Sequence, residues 1–267
     1  MTVDEVRPEV PKEGMWLRPR AGFWRRLGAL LCDAALVLIP LQVAVAILFS
    51  QTNGWVQGSF GFKTTICSPV SQLPDGLQPA PPDGFNSIQD CRETLFGLVN
   101  GRALIVAKTT VNGLTKTSFF RSYPLDAEGR PREGTFDVTW IAILSLLAYM
   151  VCMEWRFGET FGKLATGIRV VDAENPASIG IPFGRALLRQ IAMYGGVLPF
   201  LALEIGIVMF VSDAAQLQAI MTSPSYILRM VVAGLVGLAW AIWILVSLAR
   251  KRDPIYDRLA KTTVVIK

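Results

Sequence analysis

LGALLCDAALVLIPLQVAVAILF, residues Leu27–Phe49, is the stretch on which the fold turns. A helix needs about 20 mostly apolar residues to cross a bilayer, and these 23 carry a single charge, Asp33. The run is longer than the roughly 7–15-residue core of a secretion signal, and no small-residue cleavage site follows it. It therefore reads as a retained membrane helix. Pro40 inside it removes one backbone hydrogen bond and is expected to kink it. Three further stretches follow: VTWIAILSLLAYMVCM at Val138–Met153, then Ala186–Val211 and Leu228–Ala249. One such run is compatible with a buried core helix. Four of them between polar loops indicate a mainly α membrane protein with a four-helix transmembrane bundle.

Composition agrees. Of 267 residues 52% are hydrophobic and only 18% charged, with mean hydropathy +0.42, whereas soluble domains carry about 25% charged residues. The chain has no His. That excludes Ser-His-Asp and Cys-His catalysis, His-ligated metals, axial-His haem and a His pH switch. The net charge of +5 would suit nucleic acid if it were spread over one surface, but it is not. Seventeen of the 26 Lys and Arg fall in three places: the tail 1–26, the stretch from the end of the second apolar run through Arg189 at the start of the third, and the tail 250–267. With four crossings these share one face, and positive residues favour the cytoplasmic side. Residues 50–137 hold eight bases and eight acids.

The expected organisation follows. Residues 1–26 form a cytoplasmic tail, 27–49 the first transmembrane helix, 50–137 an extracytoplasmic insert and 138–154 the second helix. Residues 155–185 form a cytoplasmic link with a β-hairpin, 186–211 the third helix, 212–227 an outer loop, 228–249 the fourth helix and 250–267 a cytoplasmic tail. Both termini are expected in the cytoplasm of a bacterium, with the protein multi-pass in its cytoplasmic (inner) membrane. Trp16, Trp24, Trp140, Trp155, Trp240 and Trp243 lie near segment ends or in the last segment, and several suit the aromatic belt at the headgroups.

Within the insert, SPVSQLPDGLQPAPPDGF (Ser68–Phe85) is too rich in Pro and Gly for regular structure. RALIVAKTTVNG and LTKTSFFRSYPLD then read as two strands around the hairpin pair Asn112-Gly113. A small β-rich module of two or three strands is expected. It contains Cys67 and Cys91, 24 positions apart. In an oxidising compartment they form either a disulfide or two free thiols. The disulfide is favoured, because a thin core gains from a bridge of roughly 3 kcal/mol.

In the link and tail, GIRVVD (Gly167–Asp172) and TTVVIK (Thr262–Lys267) read as strands, and SIGI (Ser178–Ile181) as a returning one. A small cytoplasmic strand pairing is expected between link and tail. No G-x-x-x-x-G-K-[ST], G-x-G-x-x-G, HExxH, GxSxG or CxxC pattern occurs. No catalytic residue, metal site or cofactor is expected, the protein reads as non-enzymatic, and no nucleic-acid partner is expected.

Two carboxylates sit in apolar runs, where they cost several kcal/mol unless paired, hydrated or protonated. Asp33 lies in the first helix and Glu204 in the third. Arg26 precedes Asp33 by seven residues, about 10.5 Å of helix rise, so the two share a face without direct contact. Asp33 reads either as a helix–helix hydrogen bond or as an ion or proton site. Gln42, Ser145, Gln190 and Ser247 are the few other polar residues in the runs. Such a thin lining suggests that a homo-oligomer completes any polar path.

These elements together resemble the RDD family of bacterial membrane proteins, named for an Arg at the start of the first helix, an Asp within it and a further Asp. AGFWRRLGALLCDAALV places Arg26 and Asp33 on the first two positions. FGKLATGIRVVDAE is similar to the family's stretch after the second helix, with Gly162, Lys163, Gly167 and Arg169. GRALLRQ is similar to the helix start that follows, with Arg189. DPIYDRLAKTTVV resembles the closing pattern, with Asp257 as the second Asp and Tyr256 where His is common. The resemblance covers residues 20–49 and 138–266, and the 88-residue insert departs from the family's short first loop. It implies a role in transport, some members being linked to sodium/proton exchange. On that reading Asp33 binds the cation or proton, Arg26 balances its charge and Glu204 serves a secondary outer site. The alternative is a membrane scaffold or regulator whose module at 50–137 binds an envelope partner, with the lipid bilayer as the remaining partner.

Overall fold

A computed structural model describes residues 19–267 apart from 62, 82, 113–114, 211–215, 217–218 and 222. Most of the tail 1–26, Gly113 of the hairpin turn, and much of the loop 212–227 lie outside the described residues. In chain order the elements are α1 (Phe23–Gln51), β1 (Val56–Gln57), β2 (Thr64–Pro69), β3 (Ser87–Leu95), β4 (Leu98–Asn112), β5 (Thr115–Pro124) and β6 (Phe136–Asp137). There follow α2 (Thr139–Phe157), α3 (Phe161–Ala165), β7 (Ile168–Asp172), α4 (Phe183–Met193) and α5 (Leu198–Phe210). The chain ends with α6 (Pro224–Ala249), α7 (Ile255–Leu259) and β8 (Thr262–Ile266).

Among the described residues α1, α2 and α6 are long and apolar enough to cross a membrane. Exposed Leu31, Leu36, Ile143, Val231 and Leu235 on these helices suit contact with lipid. α1 continues through Pro40. α6 starts where Ser223 caps it, its hydroxyl accepting from the Tyr226 N–H at 3.2 Å, with Pro224 in the first turn.

The third run departs from expectation. Instead of one helix over 186–211, α4 and α5 meet at an 80° bend. The break at Tyr194–Val197 has a local cause. A Cβ on Gly195 or Gly196 would lie 2.8 and 2.9 Å from the Trp240 side chain of α6. Only glycines admit that indole, and two adjacent glycines weaken a helix by about 1 kcal/mol each. Four unbroken spanning helices are therefore not what the chain forms. Among the described residues three helices are continuous, and α4 with α5 make a bent pair.

The residues divide into two compact units, one from residues up to Asp33 with Leu147–Lys267, the other Ala34–Leu146. In the second unit, β2-β3-β4-β5 form an antiparallel sheet and β1 pairs β6 in parallel. The expected strands of the Asn112 hairpin are β4 and β5. β2 and β3 were not expected, because their polar composition hides the pleat. Leu77, Leu104, Val106, Tyr123 and Leu125 form the module's core. Cys67 and Cys91 stand opposite each other on β2 and β3 and are disulfide-bonded.

In the first unit β7 pairs with β8 in antiparallel register, Val170 opposite Val264. The link and the tail thus share a sheet, as expected. The expected β-hairpin within 155–185 does not form, and Ser178–Ile181 is not a strand. The other edge of β7 is taken by Gly158, whose carbonyl accepts from the Val170 N–H at 2.8 Å. Arg169 reaches past it to the carbonyls of Phe157 and Ile179. Residues 19–21 complete the sheet on the side of β8, with Ala21 N–H donating to Val264 O at 2.9 Å.

Candidate functional site

Six charged residues of the first unit, Arg26, Asp33, Glu154, Lys163, Arg189 and Asp257, lie buried in one region. Asp33, on α1, is fully buried. Its Oδ1 accepts from the Tyr149 hydroxyl at 2.8 Å and the Gly162 N–H at 2.7 Å, and its Oδ2 from the Thr160 hydroxyl at 2.5 Å. Three donors satisfy this carboxylate and tie α1 to α2 and to the start of α3. Gly162 is needed there because a Cβ would run into the Ala29 carbonyl and lie 2.8 Å from Asp33 Cγ. Thr160 also caps α3, accepting from the Lys163 N–H at 3.3 Å.

A second chain of contacts runs through the same unit. Arg26 Nη1 donates to Asp257 Oδ2 at 2.6 Å. Arg189 Nε donates to Asp257 Oδ1 at 2.7 Å, and its Nη1 to Glu154 Oε1 at 2.5 Å. Lys163 Nζ and Gln190 Nε2 donate to that same Glu154 oxygen. The Arg189 guanidinium lies 5.5 Å from the centre of the Tyr256 ring, a favourable cation–π distance. Burial pulls Lys163 below the ordinary lysine range against the attraction of Glu154, and burial pushes the Tyr256 phenol upward. Arg26, Lys163 and Arg189 stand against Asp33, Glu154 and Asp257, so three bases balance three acids.

Charges this deep persist only when paired, and the pairing here is incomplete. Arg26 Nη2, Glu154 Oε2 and Gln190 Oε1 are buried with no partner among the described residues. All three side chains line one cavity of about 210 Å³, whose other walls include Leu27, Met150, Met193 and Ile244. Buried polar atoms in native proteins almost always have a partner, in the protein or in water. The walls are mostly apolar, with these few polar groups among them, and the volume has room for several waters or a small ligand.

The sequence-predicted residues separate here. Arg26, Asp33, Lys163, Gly162, Arg189 and Asp257 come together, but Arg26 pairs with Asp257 and not with Asp33. Gly167, at φ +66°, makes the turn from α3 into β7, and its carbonyl accepts from the Lys267 N–H at 2.9 Å. Arg169 binds carbonyls at the edge of β7. Glu204 is exposed on α5 and takes no part in the cluster. Glu154, Tyr149, Thr160 and Gln190 were not expected as functional residues. Glu154 ends an apolar run and reads as a boundary charge. The spacing along the chain gives no signal for it, because Glu159 stands nearer to Lys163 in sequence.

Apolar helices around a buried, balanced charge cluster define a multi-pass membrane protein. The RDD family model matches residues 94–261, and the chain belongs to the RDD family. The matched stretch holds Glu154, Lys163, Arg189 and Asp257 and begins within β3, after Arg26 and Asp33. No curated protein and no solved structure matches the chain.

Proposed function

We propose that this protein is a non-enzymatic membrane transporter that exchanges a small cation or protons across the bilayer, with Glu154 as the exchanging carboxylate. The observation that carries the reading is the buried Glu154 Oε2, which has no partner among the described residues, on a side chain that lines a cavity beside apolar helices. An ionisable group within membrane helices is expensive and is a functional candidate by default. Asp33 has the opposite character. Both its oxygens are engaged, which suits a fastener better than an exchanger. Arg189 pairs with one oxygen of Glu154, while the other has no partner among the described residues. The placement of residues 50–137 outside the cytoplasmic membrane and of both termini inside belongs to the same proposal. It rests on the concentration of Lys and Arg in the tails and link.

Reconstitution in liposomes with an internal pH dye tests it. Imposed sodium or potassium gradients are expected to drive proton movement, lost in Glu154→Gln and retained in Glu204→Gln. Absence of any cation-coupled proton flux from the wild-type protein overturns the reading. A second reading, a scaffold whose module binds an envelope protein, is favoured by one observation. All six residues of the edge strand β2 are exposed, and unpaired edges accept partner strands. Cross-linking from β2 in intact cells, with no flux in liposomes, would favour that role.

A further inference from the structure

The Ala34–Leu146 unit carries a groove unrelated to the charge cluster. α1 has 29 residues, about 44 Å at about 1.5 Å per residue, against about 30 Å of hydrocarbon. Its last turn therefore reaches headgroup depth. There Ile47, Ser50 and Gln51 of α1 join Arg92, Leu98 and Arg102 around a groove of about 570 Å³. The β3–β4 turn beside it is unusual. Phe96 and Gly97 both have positive φ, +49° and +84°, and such two-residue turns favour Asn-Gly or Asp-Gly. A bulky residue held there is an outlier, and strain of this kind points to a function. The Phe96 ring is 87% exposed, with Ile47 and Leu98 also exposed.

The groove's charged lining is two guanidiniums. Arg102 is engaged, its Nε 3.0 Å from Asp90 Oδ1, its Nη2 2.5 Å from Oδ2, and its Nη1 donating to the Ala127 carbonyl. Arg92 has only a 4.0 Å contact with that same occupied carboxylate, and its side chain is 54% exposed. Asp126 and Glu128 also act on Arg102, so among the lining side chains Arg92 is the cation without a close carboxylate of its own, beside an apolar strip at headgroup depth.

We propose that this groove seats an anionic phospholipid from the leaflet at the C-terminal end of α1. Its phosphate meets Arg92, and an acyl chain runs along Ile47, Leu98 and Phe96. Phe96 is then a lipid anchor, which explains an exposed aromatic at a turn position that disfavours it. Arg is suited to the site because its planar fork matches phosphate oxygens.

Native mass spectrometry of the full chain in detergent, with phosphatidylglycerol or phosphatidylcholine added, tests this. Each juxtamembrane Arg is worth about a factor of five for anionic lipid, so Arg92→Gln should retain about fivefold less phosphatidylglycerol. Arg92→Lys should retain most of it, and Phe96→Ser should lose both lipids. Millimolar inorganic phosphate should not compete. Unchanged melting and an intact Cys67–Cys91 bond separate lost binding from lost folding. Equal retention by wild type, Arg92→Gln and Phe96→Ser overturns the proposal. So does displacement by inorganic phosphate, which would make this a free-anion site. A change of oligomeric state in Phe96→Ser without lipid loss overturns it as well, by making the ring a contact between copies.

Discussion

The module of residues 34–146 is held by its backbone. Four strands in antiparallel ladders, a cross-strand disulfide and a small apolar core do the work, and its best-formed ion pair, Arg102–Asp90, is partly exposed. The unit from the two ends of the chain is held by side chains. Its sheet is two short strands plus residues 19–21, while five of its ionic side chains connect α1, α2, α3, α4 and α7 through Arg26, Asp257, Arg189, Glu154 and Lys163. The contrast has a physical root. A sheet satisfies its polar groups locally and tolerates side-chain exchange. A buried ion network stands or falls together, because removing one member strands a charge in a low-dielectric interior.

That contrast can be broken, and the largest effect is expected at Arg189. Arg189→Met leaves Glu154 and Asp257 without their shared partner and should cost about 3–5 kcal/mol or more, read as a lowered melting temperature in detergent. The Cys67–Cys91 bond, read by thiol alkylation before and after reduction, should survive. Next comes the module's own staple. Cys67→Ser opens a bridge across 24 positions and should cost roughly 3 kcal/mol by the loop-entropy argument. Proteolysis should then increase within residues 50–137 and not in the link. Gly162→Ala should cost about 1–3 kcal/mol through overpacking against α1, with loosened protection of the Gly162 amide in hydrogen exchange.

The remaining effects are smaller. The hydrogen bond from Arg102 holds Asp90 below the usual carboxylate range. Its contribution is therefore full above the ordinary value of about 3.9 and is lost as pH falls through the lowered one. Arg102→Met should flatten that acid slope in the module's unfolding. Glu174 is also held low, by hydrogen bonds from Lys261 and Arg185, but it is exposed and screened. Glu174→Ala should leave melting unchanged, which would show that the comparison turns on burial and not on the number of ion pairs.

Much of the fold was legible locally. Long apolar runs mark α1, α2 and α6, alternation marks β4 and β5, and two β-branched runs at opposite ends mark β7 and β8. The module's polar strands were less so, since β2 and β3 lack a buried face clear enough to show in the pattern. The third apolar run misled for a different reason. Its hydropathy suits a span, but the bend is decided by whether Trp240 of another helix lies against Gly195 and Gly196.

The sequence by itself determined the class of protein, the β-rich insert, the pair of cysteines available for a bridge, and the joining of link to tail. These depend on composition and on short periodicities, which report burial residue by residue. Only the tertiary structure decided what the ionisable residues do. Arg26 and Asp33 share a helix and read as partners, yet Arg26 meets Asp257, 231 positions away, and Asp33 fastens the start of α3. Glu154, at the end of an apolar run, lines the cavity and has one carboxylate oxygen with no partner among the described residues. Charge pairing acts through distance and burial in space, and neither is written in the spacing along the chain.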